Sequence, residues 1–180
     1  MRITVLNDNQ KGVCPGEWGL SFFVEDGKKI LFDVGPSDIF KKNAEKLKVN
    51  LNEIDTIVLS HGHYDHTGGL PEVLKLKGKV DIHAHPHIFL DRIHVIKENE
   101  KESQKFVGLP YKRKYLELLG ANFILNKDFM EVEKGVFLTG EVPRKTSFEK
   151  PDPVLLADMD GKINQDVFSD DQSLVLDTQK

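Results

Sequence analysis

The chain has 180 residues, 39% hydrophobic and 30% charged, enough to bury a real core as one domain. Lys plus Arg is 25 against 29 for Asp plus Glu, a formal net charge of −4, which gives no reason to expect a nucleic acid as partner. The lone cysteine, Cys14, excludes an internal disulfide, and no run of about 18 apolar residues exists to span a membrane.

Taken in chain order, residues 2–6 read as a strand running into Asn7-Asp8-Asn9 rather than as a signal peptide, which makes the cytoplasm the default location. Cys14 lies in a loop among Gly12, Pro15 and Gly16 and reads as an inert loop thiol. Residues 19–26 and 29–34 form a hairpin that ends in Asp33-Val34-Gly35. Pro36 and Ser37 open a helix whose apolar face is Ile39, Phe40, Ala44 and Leu47. A strand follows at 55–60, and a short helix follows Gly68-Gly69 with Leu70, Val73 and Leu74 turned inward. The strand at 79–84 runs into His83, His85 and His87, where Pro86 ends it. Taken alone, these histidines are a solvent-facing strand end, and His94 is a surface residue. The polar stretch Lys97 to Lys105 reads as a solvated loop, ahead of a mobile substrate lid. A helix from Tyr111 to Leu119 stops at Gly120. Strands are predicted at 121–125, 135–139 and 172–178, with a connector at Phe148 to Pro153. The pattern predicts an α/β fold.

The densest chemistry lies directly after the apolar run Ile57-Val58-Leu59, in His61-Gly62-His63-Tyr64-Asp65-His66-Thr67-Gly68-Gly69. Neutral imidazole and carboxylate are ligands for zinc, iron and manganese. A packed core has no use for four such groups side by side. In extended chain, His61 and His63 point to the same side and can grip one ion together. Asp65 and His66 follow where the chain turns into a helix, so they point to a neighbouring position. The glycines allow the tight turn and a close backbone approach.

The pattern His-x-His-x-Asp-His resembles the metallo-β-lactamase superfamily. The resemblance implies two divalent metal ions, zinc first, with iron or manganese also suited to these donors. It gives His61 and His63 to one metal and Asp65 and His66 to the other. The hairpin ending in Asp33-Val34-Gly35 resembles the family's opening hairpin, in which that aspartate lies beneath the metals and orients a ligand histidine. Glu17 to Ser21, Ser60 to Leu70, Phe137 to Arg144 and Asp170 to Leu174 are similar to a narrower group. That group holds metal-dependent hydrolases and a dihydropterin ribofuranosyl-aminobenzene phosphate synthase. A similar His-Pro step in that group implies a substrate-lining place for His85.

The implied architecture is an αβ/βα sandwich of two similar halves with the site between them. Residues 1–180 then make one such domain, incomplete at its C-terminus, with Asp171 to Asp177 as the first strand of the second half and the 148–153 connector as the crossing. The implied function is metal-assisted hydrolysis of a phosphate or ester bond in a small, phosphorylated molecule. Asp65 orients the attacking water or moves its proton, and Gly12 to Gly19, Tyr64 and the loop after His85 are the candidate cleft walls. A synthase of the same group, an inactive metal-binding fragment and, last, a diiron redox protein stand as alternatives. The resemblance places the family's later ligands in a missing second half, which leaves three readings: a truncated chain, a fragmentary gene product, or one half of a split protein whose pairing chain supplies them.

Overall fold

The computed structural model describes residues 1–10, 12–99 and 101–177. The strands and helices run in the order β1 (Arg2–Asn7), β2 (Ser21–Asp26), β3 (Lys28–Phe32), α1 (Ile39–Lys46), β4 (Thr56–Val58), α2 (Tyr64–Thr67), α3 (Leu70–Lys77) and β5 (Val80–Ala84). The order continues with β6 (Arg92–Glu98), β7 (Lys101–Phe106), α4 (Arg113–Leu118), β8 (Ala121–Leu125), β9 (Met130–Glu133), β10 (Val136–Leu138), β11 (Leu155–Met159), β12 (Lys162–Gln165) and β13 (Leu174–Leu176). The fold class is α/β.

The main sheet has the order β1-β2-β3-β4-β5-β8. Its first three strands are antiparallel, and β3, β4, β5 and β8 are parallel, each step between them crossing through helix. One face is covered by helix: Phe40 and Ala44 of α1, Leu70, Val73 and Leu74 of α3 and Leu116 of α4 pack on Phe23, Leu31, Ile57 and Ile82. Each of these apolar side chains removed from water contributes roughly 1.5–3 kcal/mol for the larger ones. On the other face, Val24, Ile30 and Val58 meet Val136 and Leu138 of a second sheet, β13-β10-β9. Of the parallel strands, β3 and β4 are thus buried from both sides, which explains their continuous apolar runs. A third sheet, β12-β11-β6-β7, carries the polar hairpins.

Two expectations change. The described residues of the stretch Lys97 to Lys105 are not a loop: 97–98 and 101–105 belong to the hairpin of β6 and β7, whose register runs from Ile93↔Phe106 to Glu98↔Lys101. Every residue of β7 is exposed, so no alternation marks it as a strand. Likewise β13 is shorter than the 172–178 expectation, whose last residue lies outside the described ones. It closes the edge of the sheet containing β10. Among the described residues no helix is long and apolar enough to cross a membrane.

Candidate metal centre

Three neighbouring parallel strands deliver the site. Asp33 follows β3, His61 follows β4 after Leu59 and Ser60, and His85 follows β5. The carboxyl ends of parallel strands are where open α/β sheets bind ligands. Asp33 is fully buried and holds φ at +54°, a backbone state that non-glycine residues seldom adopt. Its Oδ1 accepts the Ser60 N–H at 2.8 Å. Its Oδ2 accepts the Ser60 hydroxyl at 2.7 Å and lies 2.7 Å from His66 Nδ1.

His61 and His66 each have one ring nitrogen hydrogen-bonded to protein, and His63 has one beside a carboxylate. With its proton given to Asp33, Ser60 Oγ is free to accept Nδ1–H of His61 at 2.9 Å. His63 Nε2 lies 3.3 Å from Asp166 Oδ2. His66 Nδ1 is taken by Asp33. That leaves His61 Nε2 facing His63 Nδ1 at 3.2 Å, and His66 Nε2 facing Asp65 Oδ2 at 3.7 Å. Such outer partners fix the tautomer and aim of a metal-binding imidazole.

The spacing of the first pair matches a ligand pair. Two nitrogens bound to one tetrahedral zinc at the usual bond length are about 3.3–3.4 Å apart. The second pair is wider and suits a more open angle. Each pair supplies two donors of the four that zinc takes. Among the described residues, no three His, Cys, Asp or Glu side chains converge on one such point. The residues therefore fit as two half-sites, with further donors to come from water, substrate or another protein segment.

The loop is braced from below. His63 stands at the N-terminus of α2 in extended conformation, and Thr67 Oγ1 donates to its carbonyl at 2.9 Å. A side chain at Gly62 would strike the Ile88 carbonyl and the Arg92 guanidinium, so only glycine lets the loop settle there. Arg92 is fully buried, with Nε 2.9 Å from Asp166 and Nη2 2.6 Å from Asp170. Asp170 in turn accepts Gly62 N–H at 2.7 Å. Gln172 donates from its backbone to Ser60 O and from Nε2 to Leu59 O. Phe168 lies over the first pair, its ring 4.9 Å from that of His63.

Burial, then the neighbouring imidazoles of His66 and His63, push His61 well below the usual histidine range, so at neutral pH it is in the uncharged, ligating form. For His66 burial pulls downward, but the hydrogen bond and charge of Asp33 outweigh it and the pKa is raised. Burial works upward on Asp166, yet His63 and Arg92 hold that carboxyl lower than usual. On Asp170 burial prevails over Arg92 and the pKa rises.

The structure therefore brings together His61, His63, Asp65, His66 and Asp33. It does not bring His85 to them as an open wall. His85 is fully buried, its Nδ1 accepts His87 N–H at 3.0 Å, and burial, followed by His87, lowers its pKa to about 4. It is neither a solvent-facing histidine nor, in this structure, one with surface to offer a substrate. His94 is half-buried rather than a plain surface residue, and it lines a cleft against His63 and Asp65. Sequence reasoning gave no role to Arg92, Asp166, Phe168 or Asp170. The resemblance of Asp170 to Leu174 was the one signal pointing to that segment.

A sequence profile described as the Metallo-beta-lactamase superfamily matches residues 19–156. The 7,8-dihydropterin-6-methyl-4-(beta-D-ribofuranosyl)-aminobenzene-5'-phosphate synthase of Methanocaldococcus jannaschii is 32% identical, over 100% of this chain and 65% of its own length. An uncharacterized protein of the same organism is 31% identical over 87% of this chain and 58% of its own. The crystal structure of Tm1679, a metal-dependent hydrolase of the beta-lactamase superfamily, superposes with a TM-score of 0.74 at 26% identity, covering 97% of this chain and 60% of that one. The chain thus spans somewhat under two thirds of the length of these relatives. Its profile match and this relationship along the whole chain, joined to the histidine-rich loop after β4, mean that the chain belongs to the metallo-beta-lactamase superfamily.

Proposed function

We propose that this chain is the metal-carrying part of a hydrolase that cleaves a phosphate or ester bond in a small molecule. His61 and His63 would hold one divalent ion, and Asp65 and His66 a second. Zinc is the first choice and iron or manganese fit the same donors. A divalent ion bound there supplies hydroxide at neutral pH, by lowering the pKa of water toward about 7, and polarises a phosphoryl or ester oxygen.

The chain's own residues do the rest. Asp33 keeps the proton of His66 on Nδ1, so Nε2 stays available. Ser60 does the same for His61, and the Asp166 carboxylate, 3.3 Å from His63 Nε2, favours the proton on that nitrogen. Asp65, on the cleft side of its helix, orients the attacking water and accepts its proton. The observation that carries this reading is that His61 and His66 each have one nitrogen hydrogen-bonded to protein, His63 has one beside Asp166, and the remaining nitrogens all face a fellow donor.

A synthase reading is favoured by one observation, the 32% identity to a relative of that name. It uses the same donors and differs in the bond made. Pairing with a chain that supplies further donors is part of the proposal, because each half-site holds two donors where zinc takes four.

Elemental analysis of protein purified without added metal or histidine tag tests the reading, with phosphomonoesterase and phosphodiesterase assays on the same sample. About two ions per chain with turnover are expected of a complete site. His63→Ala should sharply reduce metal content, and unchanged content in that variant would overturn the assignment. One weakly held ion without turnover would identify a ligand-poor half.

A further inference from the structure

Beside the paired donors lies a cleft of about 280 Å³, most of whose walls the metal chemistry does not use. His63 and Asp65 form one end of it, and Trp18, Tyr64, His94 and Lys105 surround the rest. We propose that this cleft binds an aryl phosphate, taking the ring on Trp18 and Tyr64 and the phosphate on Lys105 and His94. The inference deepens the hydrolase reading and rests on it for the location of the reacting bond.

Lys105 and His94, an ammonium and a ring N–H that can both donate to a phosphate, are placed together by the register of the hairpin. His94 of β6 and Lys105 of β7 are directly opposite one another. Opposed side chains in an antiparallel pair share a face, with Cβ atoms about 4.5–5.5 Å apart. Arg92, two residues before His94 on the same strand, points into the network under the histidine loop. Period two along β6 therefore turns His94 toward the site as well. This gives a reason for a strand such as β7, exposed throughout and offering the core nothing. The loop and the hairpin are joined where Tyr64 N–H donates to Val107 O at 2.9 Å.

The aromatic side is equally placed. Trp18 is the only tryptophan of the chain and is 70% exposed. Its backbone is nevertheless held on both sides. Glu17 exchanges hydrogen bonds with Asn7 and accepts from Ser37 Oγ, and Gly19 N–H donates to Asn9 Oδ1 at 2.8 Å. An indole left in water on a fixed backbone at the lip of a polar cleft is set up to stack on a flat ligand. Lys105 Nζ lies 5.1 Å from the centroid of the Tyr64 ring, a cation–π contact that keeps the ammonium over the cleft. Asp152, whose Oδ1 accepts Val154 N–H, contributes a carboxylate to the same walls.

The single tryptophan makes binding visible without a label. Fluorescence of the full chain, dialysed against chelator, is titrated with phenyl phosphate, inorganic phosphate and phenol. Phenyl phosphate should saturate the signal at a concentration at least tenfold below either fragment alone. Lys105→Met and His94→Gln should each weaken phenyl phosphate fivefold or more, and Asp152→Asn should tighten it. These positions lie outside the core, and far-UV circular dichroism checks that each variant is folded.

Equal binding of phenyl phosphate and inorganic phosphate, or a folded Lys105→Met variant that binds phenyl phosphate unchanged, would overturn the proposal. Metal content measured on the same samples separates the two readings. Metal uptake without phenyl phosphate binding removes the cleft proposal and leaves the hydrolase reading standing. Phenyl phosphate binding in protein that takes up no metal does the reverse.

Discussion

Asp33 carries three contacts at once from a strained backbone. Its carboxylate fixes Ser60, and through Ser60 the tautomer of His61, while directly holding His66 Nδ1. Asparagine tolerates the left-handed backbone and keeps the shape, but it loses the negative charge that raises the His66 pKa. Asp33→Asn is therefore expected to fold and to lose about 10–100-fold in metal affinity, the usual cost of removing such an outer partner. Competition with a coloured chelator measures this, and full affinity in the variant would show that His66 needs no carboxylate. Arg92 presents a different balance. It is fully buried between Asp166 and Asp170, and its removal leaves two carboxylates without their cation. Arg92→Met should destabilise the fold by about 3–5 kcal/mol, read from urea unfolding midpoints. Adding Asp166→Asn and Asp170→Asn should recover part of that loss, because the uncompensated charges are then gone. If the triple variant is no more stable than Arg92→Met, packing rather than charge sets the cost.

At the scale of elements, legibility follows burial. The central strands β3 and β4 stand out in the sequence because both of their faces meet apolar layers, and β4 leads straight into the histidine loop. The helix after Gly68-Gly69 was readable for the same reason: Leu70, Val73 and Leu74 are all buried. By contrast β7 and β12 are exposed along their whole length, so nothing in Lys101 to Phe106 or Lys162 to Gln165 alternates. Their pairing comes from backbone bonds to β6 and β11, which a hydrophobic pattern does not record. The brace beneath the loop was hidden for another reason. Arg92, Asp166 and Asp170 come from distant stretches, and no local spacing announces that they meet. The same physics gives an expectation for dynamics. An edge strand with no buried side chain and one neighbour opens at little cost, whereas β4 and β5 lie in the middle of the sheet. Hydrogen exchange followed by mass spectrometry should show amides of residues 101–106 exchanging orders of magnitude faster than those of 56–58 and 80–84. Equal protection would mean that something covers β7 in solution.

Over the whole molecule, the faces of the main sheet are covered unequally. Helices bury one side along its length, while the second sheet reaches only part of the other. Between them, Ile3, Phe22 and Phe32 of the main sheet and Leu174 and Leu176 of β13 wall an apolar groove of about 390 Å³. Ile3 is half exposed, and Leu174 and Leu176 of β13 are only partly buried. Among the described residues β13 pairs only with β10, so its other edge offers free backbone donors and acceptors beside the groove. An open strand edge next to apolar surface is a template for another chain. Alone in solution, this surface has only further copies to meet. Purified protein is therefore expected to self-associate as its concentration rises, measured by light scattering on a sizing column. Ile3→Glu puts a charge in the groove at a position half open to water. It should leave the fold within about 0.5 kcal/mol of the parent while shifting the chain toward monomer. If association also completes the half-sites, metal bound per chain should rise with concentration in the parent and stay low in Ile3→Glu. A chain that remains monomeric at every concentration, with Ile3→Glu indistinguishable from it, would show that the groove is not where this molecule meets a partner.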